Sequence, residues 1–411
     1  MERERLVEVV RQSGLGGVAA DLLREVRPID WLGALTAVAG AVPADEPSIV
    51  VLDEVPWLIE QDRAFEGALQ TVWDGALSRK PVLLVLIGSD ISVMESLQTY
   101  ERPFFGRALP MRVDPLNLAD VQDMARLDAV TAVDALLMTG GFPEIVQSWR
   151  PGNSRAEFLE DAMSQPLTPL LTAGELTLLG EFPDAVNART VIEAIGAFGE
   201  RTFSGIAARA GGANSLPSGV LTPILATLRH KHVVAVDQPL STRLDAKNKR
   251  YRIEDTYLRF WLGFLEQAVG YVERGRGDVA LRRIERDWSA WRGRAVEPIV
   301  RASVQRLLPD EAWPDVVEVG GWWNRQNNPE IDLIGTPDAP VARSVEFAGS
   351  IKWHENRSFT ADEFGELARS ATVVPGVADS TPLVAVSRCG FDPGLSLAAA
   401  WTPEDLVNAW R

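Results

Sequence analysis

The chain has 411 residues, 46% hydrophobic and 24% charged, with a net charge of −16. That is enough apolar material for two to four cored domains of roughly 100–200 residues each, and it is too acidic overall for a surface coated to hold nucleic acid. A single cysteine, Cys389, excludes an internal disulfide, the charged start Met1-Glu2-Arg3-Glu4-Arg5 is unlike a signal peptide, and apolar runs such as Val82–Gly88 fall far short of the ~20 residues of a membrane helix, so a cytoplasmic protein with no membrane segment is expected.

Residues 1–44 read as helical, with Trp31, Leu32, Leu35, Val38 and Ala39 at helical spacing. A buried strand over 49–53 follows. Next come a helix around Phe65–Leu77 and a second buried strand, Val82–Ile87, ending in Gly88-Ser89-Asp90. Buried strands alternating with helices indicate a parallel α/β sheet. The spacing then predicts one helix over about 118–138, stopped at Gly140-Gly141-Phe142-Pro143.

Residues 185–254 change character. Helices are expected over Thr190–Phe198, Ser204–Ala210 and Pro217–His230, then two strands, His232–Val236 and Lys249–Ile253. Three helices followed by a hairpin is the plan of a winged helix-turn-helix. Seven basic residues (Arg229, Lys231, Arg243, Lys247, Lys249, Arg250 and Arg252) stand there against two acids, Asp237 and Asp245. Residues 256–308 read as mostly helical around Tyr257, Phe260, Trp261 and Phe264. Strands are expected at Val316–Val319, Glu330–Ile334, Ser344–Trp353 and Leu383–Val386, with a helix near 361–371, making a second α/β unit.

Three constellations carry chemistry. Ile49-Val50-Val51-Leu52 runs straight into Asp53-Glu54. A buried parallel strand delivers acids this way to the carboxyl edge of a sheet, where ATPases hold magnesium and activate water. In that reading Asp53 holds magnesium, Glu54 polarises the attacking water and Ser89 senses a terminal phosphate. Arg107 reaches a phosphate or is a surface arginine. The companion loop G-x-x-x-x-G-K-[ST] occurs nowhere in the 411 residues, and Gly14-Leu15-Gly16-Gly17 is no substitute, since no lysine follows. Four missing charge-assisted bonds at roughly 1.5–3 kcal/mol each imply weak or absent ATP binding by this chain.

The second constellation is Asp332 on one strand with Lys352 on the next, the layout of a magnesium-dependent nuclease. Ser350 stands where that layout has a glutamate. Glu346 is expected on the same strand face about 13 Å away at ~3.3 Å per residue, and Glu297, on the preceding helix, is a further candidate magnesium ligand. The third is the basic wing, where Arg243, Lys247, Lys249 and Arg250 are candidate nucleic-acid contacts; a solvated hairpin in a protein-binding module is the alternative. His230, His232 and His354 are too few and too scattered for a His-based metal site.

Taken in order, Val51-Leu52-Asp53-Glu54-Val55-Pro56-Trp57-Leu58, Ile87-Gly88-Ser89-Asp90-Ile91-Ser92-Val93-Met94-Glu95, Gly140-Gly141-Phe142-Pro143, Lys249-Arg250-Tyr251-Arg252-Ile253-Glu254-Asp255 with Leu258-Arg259-Phe260-Trp261, and Trp322-Trp323 with Glu330-Ile331-Asp332 and Ile351-Lys352-Trp353 resemble an archaeal and bacterial ATPase family of the STAND/AAA+ class carrying a C-terminal DUF234 domain. The resemblance covers the chain from about residue 20. It implies an α/β chain built from a P-loop ATPase core lacking its phosphate loop (1–114), a helical lid (115–184), a winged helix (185–255), a helical connector (256–294) and a restriction-endonuclease-like α/β tail (295–411). It implies ATP and magnesium as cofactors, with Asp53 and Glu54 matching the Walker B acids and Ser89 the first sensor. Two departures stand out: the phosphate loop and its strand are absent, and Ser350 replaces the tail's acid.

A phosphate-loop strand normally lies centrally in its sheet, and without it the apolar flanks of Ile49–Leu52 and Val82–Ile87 are left open. A native product with roughly 50–100 more residues upstream is therefore expected. The leading functional expectation is a nucleotide-switched ATPase whose winged helix engages double-stranded DNA or a protein partner. The alternatives are a non-enzymatic DNA-binding regulator or scaffold and, more weakly, a magnesium-dependent nuclease.

Overall fold

In the computed structural model, residues 2–13, 27–181, 186–245 and 247–411 are described; Gly14-Leu15-Gly16-Gly17 and the last residues of the expected lid, 182–184, lie outside them. The chain divides into two units, Met1–Val113 and Asp114–Arg411.

In the first unit, β1 (Ser48–Leu52) runs parallel to β2 (Val82–Leu86), with Ser48 opposite Val82 and Leu52 opposite Leu86. Side chains alternate across a strand. Val50, Leu52, Val82, Leu84 and Leu86 therefore share the inner face, against the helices Trp31–Ala41 and Ala64–Gly75 and their Leu35, Val38, Phe65, Leu69 and Val72. The other face is bare: Ile49, Val51, Leu83 and Ile87 are 45–65% exposed. The short helices Val55–Gln61 and Ile91–Ser96 leave the carboxyl ends of β1 and β2.

The second unit opens with helices Leu118–Ala125, Ala129–Thr139, Pro143–Gln147, Arg155–Ala162 and Pro169–Glu181. The single helix expected over 118–138 is two. Arg126 takes a left-handed conformation (φ 53°) and Asp128 caps a fresh start by accepting from Thr131 N at 2.9 Å. Gly140 closes the second helix. At Gly141 (φ 74°) a Cβ would lie 2.1 Å from the Leu116 carbonyl, so only glycine lets the chain pass.

Three helices follow, Val186–Ile195, Phe203–Ala210 and Ser218–His230. The antiparallel pair β3 (Val234–Asp237) and β4 (Arg250–Ile253) comes next, with Val234 opposite Ile253. Helices Thr256–Phe260, Glu266–Val272, Gly277–Ala295 and Glu297–Leu307 lead to a five-stranded sheet. Its strands are β5 (Glu318–Trp323), β6 (Glu330–Thr336), β7 (Phe347–Lys352), β8 (Leu383–Ser387) and β9 (Ala399–Trp401), in that spatial order. The β5–β6 and β6–β7 pairs are antiparallel; the β7–β8 and β8–β9 pairs are parallel. Glu346, expected inside a strand, precedes β7.

Helices and sheet of this unit share one core, to which Leu137, Val191, Phe260, Trp291, Val304, Leu333 and Val384 belong. Phe260, Phe264, Trp288 and Trp291 stack within it at ring separations of 5.3–6.0 Å, and such pairs add about 0.5–1.5 kcal/mol each beyond area burial. No helix among the described residues is long and apolar enough to cross a membrane.

Candidate functional site

The carboxyl ends of β1 and β2 bring Asp53, Glu54 and Ser89 into one place. The ladder continues past the strands: Ile87 N donates to Leu52 O and Val55 N to Ile87 O, each at 2.9 Å. Residues 53–54 therefore lie beside residues 87–89. Gly88 permits this approach, since a Cβ there would come within 2.3 Å of the Pro56 ring and 2.8 Å of the Met94 sulfur. Glu54 holds a left-handed backbone (φ 53°), uncommon outside glycine and a form of strain found at functional turns. Asp53 accepts from the Glu54 amide at 2.9 Å, and both acids and Ser89 are exposed. Two carboxylates beside a hydroxyl suit magnesium carried on a phosphate, because magnesium keeps most of its water and takes one or two protein acids.

Arg107 does not join this group. It lies flat against Asp74, with Nε and an amino nitrogen donating to the two carboxylate oxygens at 2.9 and 2.8 Å, and it also donates to the Pro103 and Phe105 carbonyls. The expectation that it reaches a phosphate is corrected: its guanidinium fastens the loop after Phe104 to the helix Ala64–Gly75.

In the second unit, Asp332 and Ser350 meet. The β6–β7 ladder runs from Gly335–Phe347 to Leu333–Gly349. Beyond it the Asp332 carboxylate inserts between the strands, accepting from Ile351 N at 2.8 Å and from the Ser350 hydroxyl at 3.0 Å. Arg301 donates to the Asp332 carbonyl at 2.8 Å and to Glu297 at 3.0 Å. Burial pushes the Glu297 carboxyl up to about 7; Arg301 opposes the rise, and Asp332 and Glu200 add to it. Glu346 sits apart, taking the hydroxyl of Ser344. Lys352 ends β7, half-buried.

The expected magnesium site of Asp332 and Glu297 is therefore corrected to a charge-paired joint. Asp332 does the work of a ladder bond, and Glu297 is held by Arg301. Among the described residues no group of three or more His, Cys, Asp or Glu could hold a metal ion. Replacing Asp332 with alanine strands the Ile351 amide and the Ser350 hydroxyl, each buried. The expected loss is about 1–3 kcal/mol in urea denaturation, and Asp332→Asn, which still accepts, should lose less.

Residues 261–363 match DUF234, described as archaeal and bacterial proteins of unknown function. The chain carries a DUF234 domain. It is also similar to the uncharacterized protein MJECL04 of Methanocaldococcus jannaschii, 24% identical over 299 residues, covering 71% of this chain and 64% of that protein. The chain thus spans a little under two thirds of the length of that relative. Among solved structures it is similar to the Walker-type ATPase PABY2304 of Pyrococcus abyssi, with a TM-score of 0.43 and 16% identity over 63% of this chain and 79% of that one.

The DUF234 match takes in Glu297, Arg301, Asp332, Glu346, Ser350 and Lys352. It also includes Glu330, which matters for the basic hairpin. Arg250, expected to face nucleic acid, is 8% exposed. Its guanidinium lies 4.1 Å over the Trp323 ring, donates to Glu200 at 3.1 Å and to Asn327 at 2.7 Å, and is ion-paired with Glu330 of the DUF234 domain. That assignment is corrected. Arg252 is likewise paired, with Asp237 at 2.9 Å. Arg243 and Lys247 are exposed and Lys249 is half-exposed. Arg301 was not singled out from the sequence, although its position four residues after Glu297 was a readable ion-pair signal.

Proposed function

We propose that this is an ATPase-related protein, with a magnesium–nucleotide site at the carboxyl edge of β1 and β2 and an effector unit, containing the DUF234 domain, that answers to it through a protein partner. The observation that carries the reading is the convergence of Asp53, Glu54 and Ser89 on adjacent parallel strands, at a turn held in a left-handed backbone at Glu54. Asp53 would hold the magnesium, Glu54 would orient a water, and Ser89 would face the terminal phosphate. The ion neutralises phosphate charge when bound. With no phosphate loop in the sequence, affinity is weak. Losing roughly 6 kcal/mol turns a site of about 0.1 μM into a millimolar one.

Titration calorimetry at fixed magnesium should therefore show ATP binding near 1 mM. The binding should disappear with EDTA and weaken about tenfold or more in Asp53→Asn, because that carboxylate is the ion's charged ligand. Glu54→Gln should leave affinity nearly unchanged. Equal binding by wild type and Asp53→Asn, or none by wild type, ends this reading.

The effector side is read as a winged helix that binds protein. The outward face of Ser218–His230 presents Val220, Thr222, Pro223, Ala226 and Thr227, small and uncharged, with no cation before Arg229. A helix that reads a major groove needs Arg, Lys, Asn or Gln there. The exposed cations Arg243 and Lys247 favour duplex DNA as the second reading. If charge reversal at Arg243, Lys247 and Lys249 abolishes duplex retention, the DNA reading replaces the protein one. The tail reads as inactive in cleavage, since Ser350 replaces an acid and Asp332 is committed to the β6–β7 joint.

A further inference from the structure

We infer that this protein pairs with a second copy of itself by strand exchange: the segment Leu109–Val113 of each copy adds as an edge strand to the outer edge of β2 in the other. The acceptor edge is open. Ser48 N donates to Pro81 O and Ile87 N to Leu52 O, each at 2.9 Å. That phase turns the backbone groups of Leu83, Val85 and Ile87 toward β1, and those of Leu84 and Leu86 away from it. Among the described residues nothing bonds the outward N–H and C=O of Leu84 or Leu86. The outer edge of β1 runs into the charge of Asp53 and Glu54, whereas β2 runs on into Ile87 and Gly88 and carries no charge. An unpaired edge of this kind is a template for another strand.

The donor follows Arg107, which is fastened to Asp74. From Leu109 to Val113 the chain runs without turn or bend, and without a backbone hydrogen bond to any described residue. Leu109, Met111 and Val113 are 92%, 84% and 82% exposed. In an extended run these three share one face, and their N–H and C=O groups share one edge. The opposite edge holds Pro110, which has no N–H to give. The segment can therefore complete a ladder on one side only, which is the requirement of an edge strand. Apolar residues alternating with Pro110 and Arg112 are the pattern of a half-buried strand, yet within one copy this strand buries nothing.

An open backbone edge recognises an extended backbone, through main-chain bonds that neither a helix nor a small molecule can supply. This chain presents both halves of such a pairing, an acceptor edge and a one-sided donor, and both are already exposed. The occupant is therefore a second copy, and no part of the fold has to open to admit it. Exchange also accounts for the bare face of the sheet, where Ile49, Val51, Leu83 and Ile87 stand exposed. Parallel sheets are normally covered on both faces. A reciprocal pair about a twofold axis sets two such faces together, each widened by the donated strand.

Sedimentation velocity on the full chain over rising concentration, read together with hydrogen–deuterium exchange, tests this. The mass should pass from one chain to two. The Leu84 and Leu86 amides should exchange about tenfold or more slowly in the dimer than in the monomer, while the Val51 amide, on the outer edge of β1, exchanges alike in both. Met111→Pro removes an N–H from the pairing edge and should weaken association about tenfold or more. Met111→Ala keeps that N–H and should retain more of the association. The wild-type exchange carries the test on its own if Met111→Pro fails to fold. A single-chain mass at every concentration overturns the strand exchange. So does a dimer in which Leu84 and Leu86 exchange as in the monomer, or one that a folded Met111→Pro leaves as tight as wild type.

Discussion

Replacing Arg292 with alanine is expected to cost the second unit about 3–5 kcal/mol, lowering its melting temperature by about 10 °C. Arg292 is fully buried and Asp134 is 4% exposed. They meet at 3.2 Å, and the same guanidinium donates to the Trp353 carbonyl at 3.3 Å and pairs with Glu355. One cation thus ties the helices Ala129–Thr139 and Gly277–Ala295 to the turn that follows β7. Burial pushes the Asp134 carboxyl up, and Arg292, Arg388 and Arg155 pull it back. Without Arg292 the acid loses its nearest counter-charge inside the core. Arg292→Lys should recover little, because a single ammonium cannot span the three acceptors that the planar guanidinium reaches. The combined change Arg292→Met with Asp134→Asn should recover most of the loss, since no buried charge is then left alone. Circular dichroism melts of these variants decide it. A melting temperature for Arg292→Ala within 2 °C of wild type means that the pair is incidental to stability.

That pair also shows where sequence reading stops. The strand-to-acid run at 49–54, the glycine stop at 140 and the three-helix and hairpin order were legible, because each is set by local period or local turn chemistry. Arg292 and Asp134 lie 158 positions apart, and Arg250 and Glu330 lie 80 apart. Nothing local distinguishes Arg250, buried on Trp323, from Lys247, exposed three residues before it. The excess of basic residues over acids between 229 and 252 is real. Two of the seven are spent within the fold, Arg250 on Glu200 and Glu330 and Arg252 on Asp237.

Other misses were readable in principle. The break at Arg126 needed a left-handed non-glycine residue, which propensity disfavours, yet Asp128 followed by Thr131 was a cap signal. The strand β9 is three residues long and carries no alternation to find. At the candidate site, Asp53, Glu54 and Ser89 were picked out from their places at strand ends, and the parallel register brings them together. Arg107 was left open between a phosphate contact and a surface arginine, because its partner Asp74 lies 33 residues away, on the helix Ala64–Gly75.

Stability of the second unit is expected to fall as pH rises from about 4.5 to 7, with Glu297 as the main source. Its carboxyl goes from an ordinary value of 4.5 to about 7 on folding, through burial first. Between those values the unfolded chain has given up the proton and the folded one still holds it, so raising the pH draws the equilibrium toward unfolding. The gap corresponds to about 3 kcal/mol, present below pH 4.5 and gone above pH 7. Asp255, which burial pushes up to about 6, acts in the same direction over a lower window. Glu330 works oppositely and only in acid, its carboxyl held low against its burial by Arg250 and Arg294. Glu297→Gln keeps an acceptor for Arg301 and removes the titration. It should raise stability at pH 8 by up to about 3 kcal/mol, change little at pH 4.5, and flatten the profile between. Urea denaturation at pH 4.5, 6, 7 and 8 on both proteins measures this, and parallel profiles would falsify the assignment. The same result bears on the tail. A carboxyl that keeps its proton to neutrality and accepts from Arg301 is poorly suited to magnesium, which binds the ionised form. With Asp332 bonded into the β6–β7 joint and a serine at position 350, neither acid offered to the metal by the sequence is free to take it.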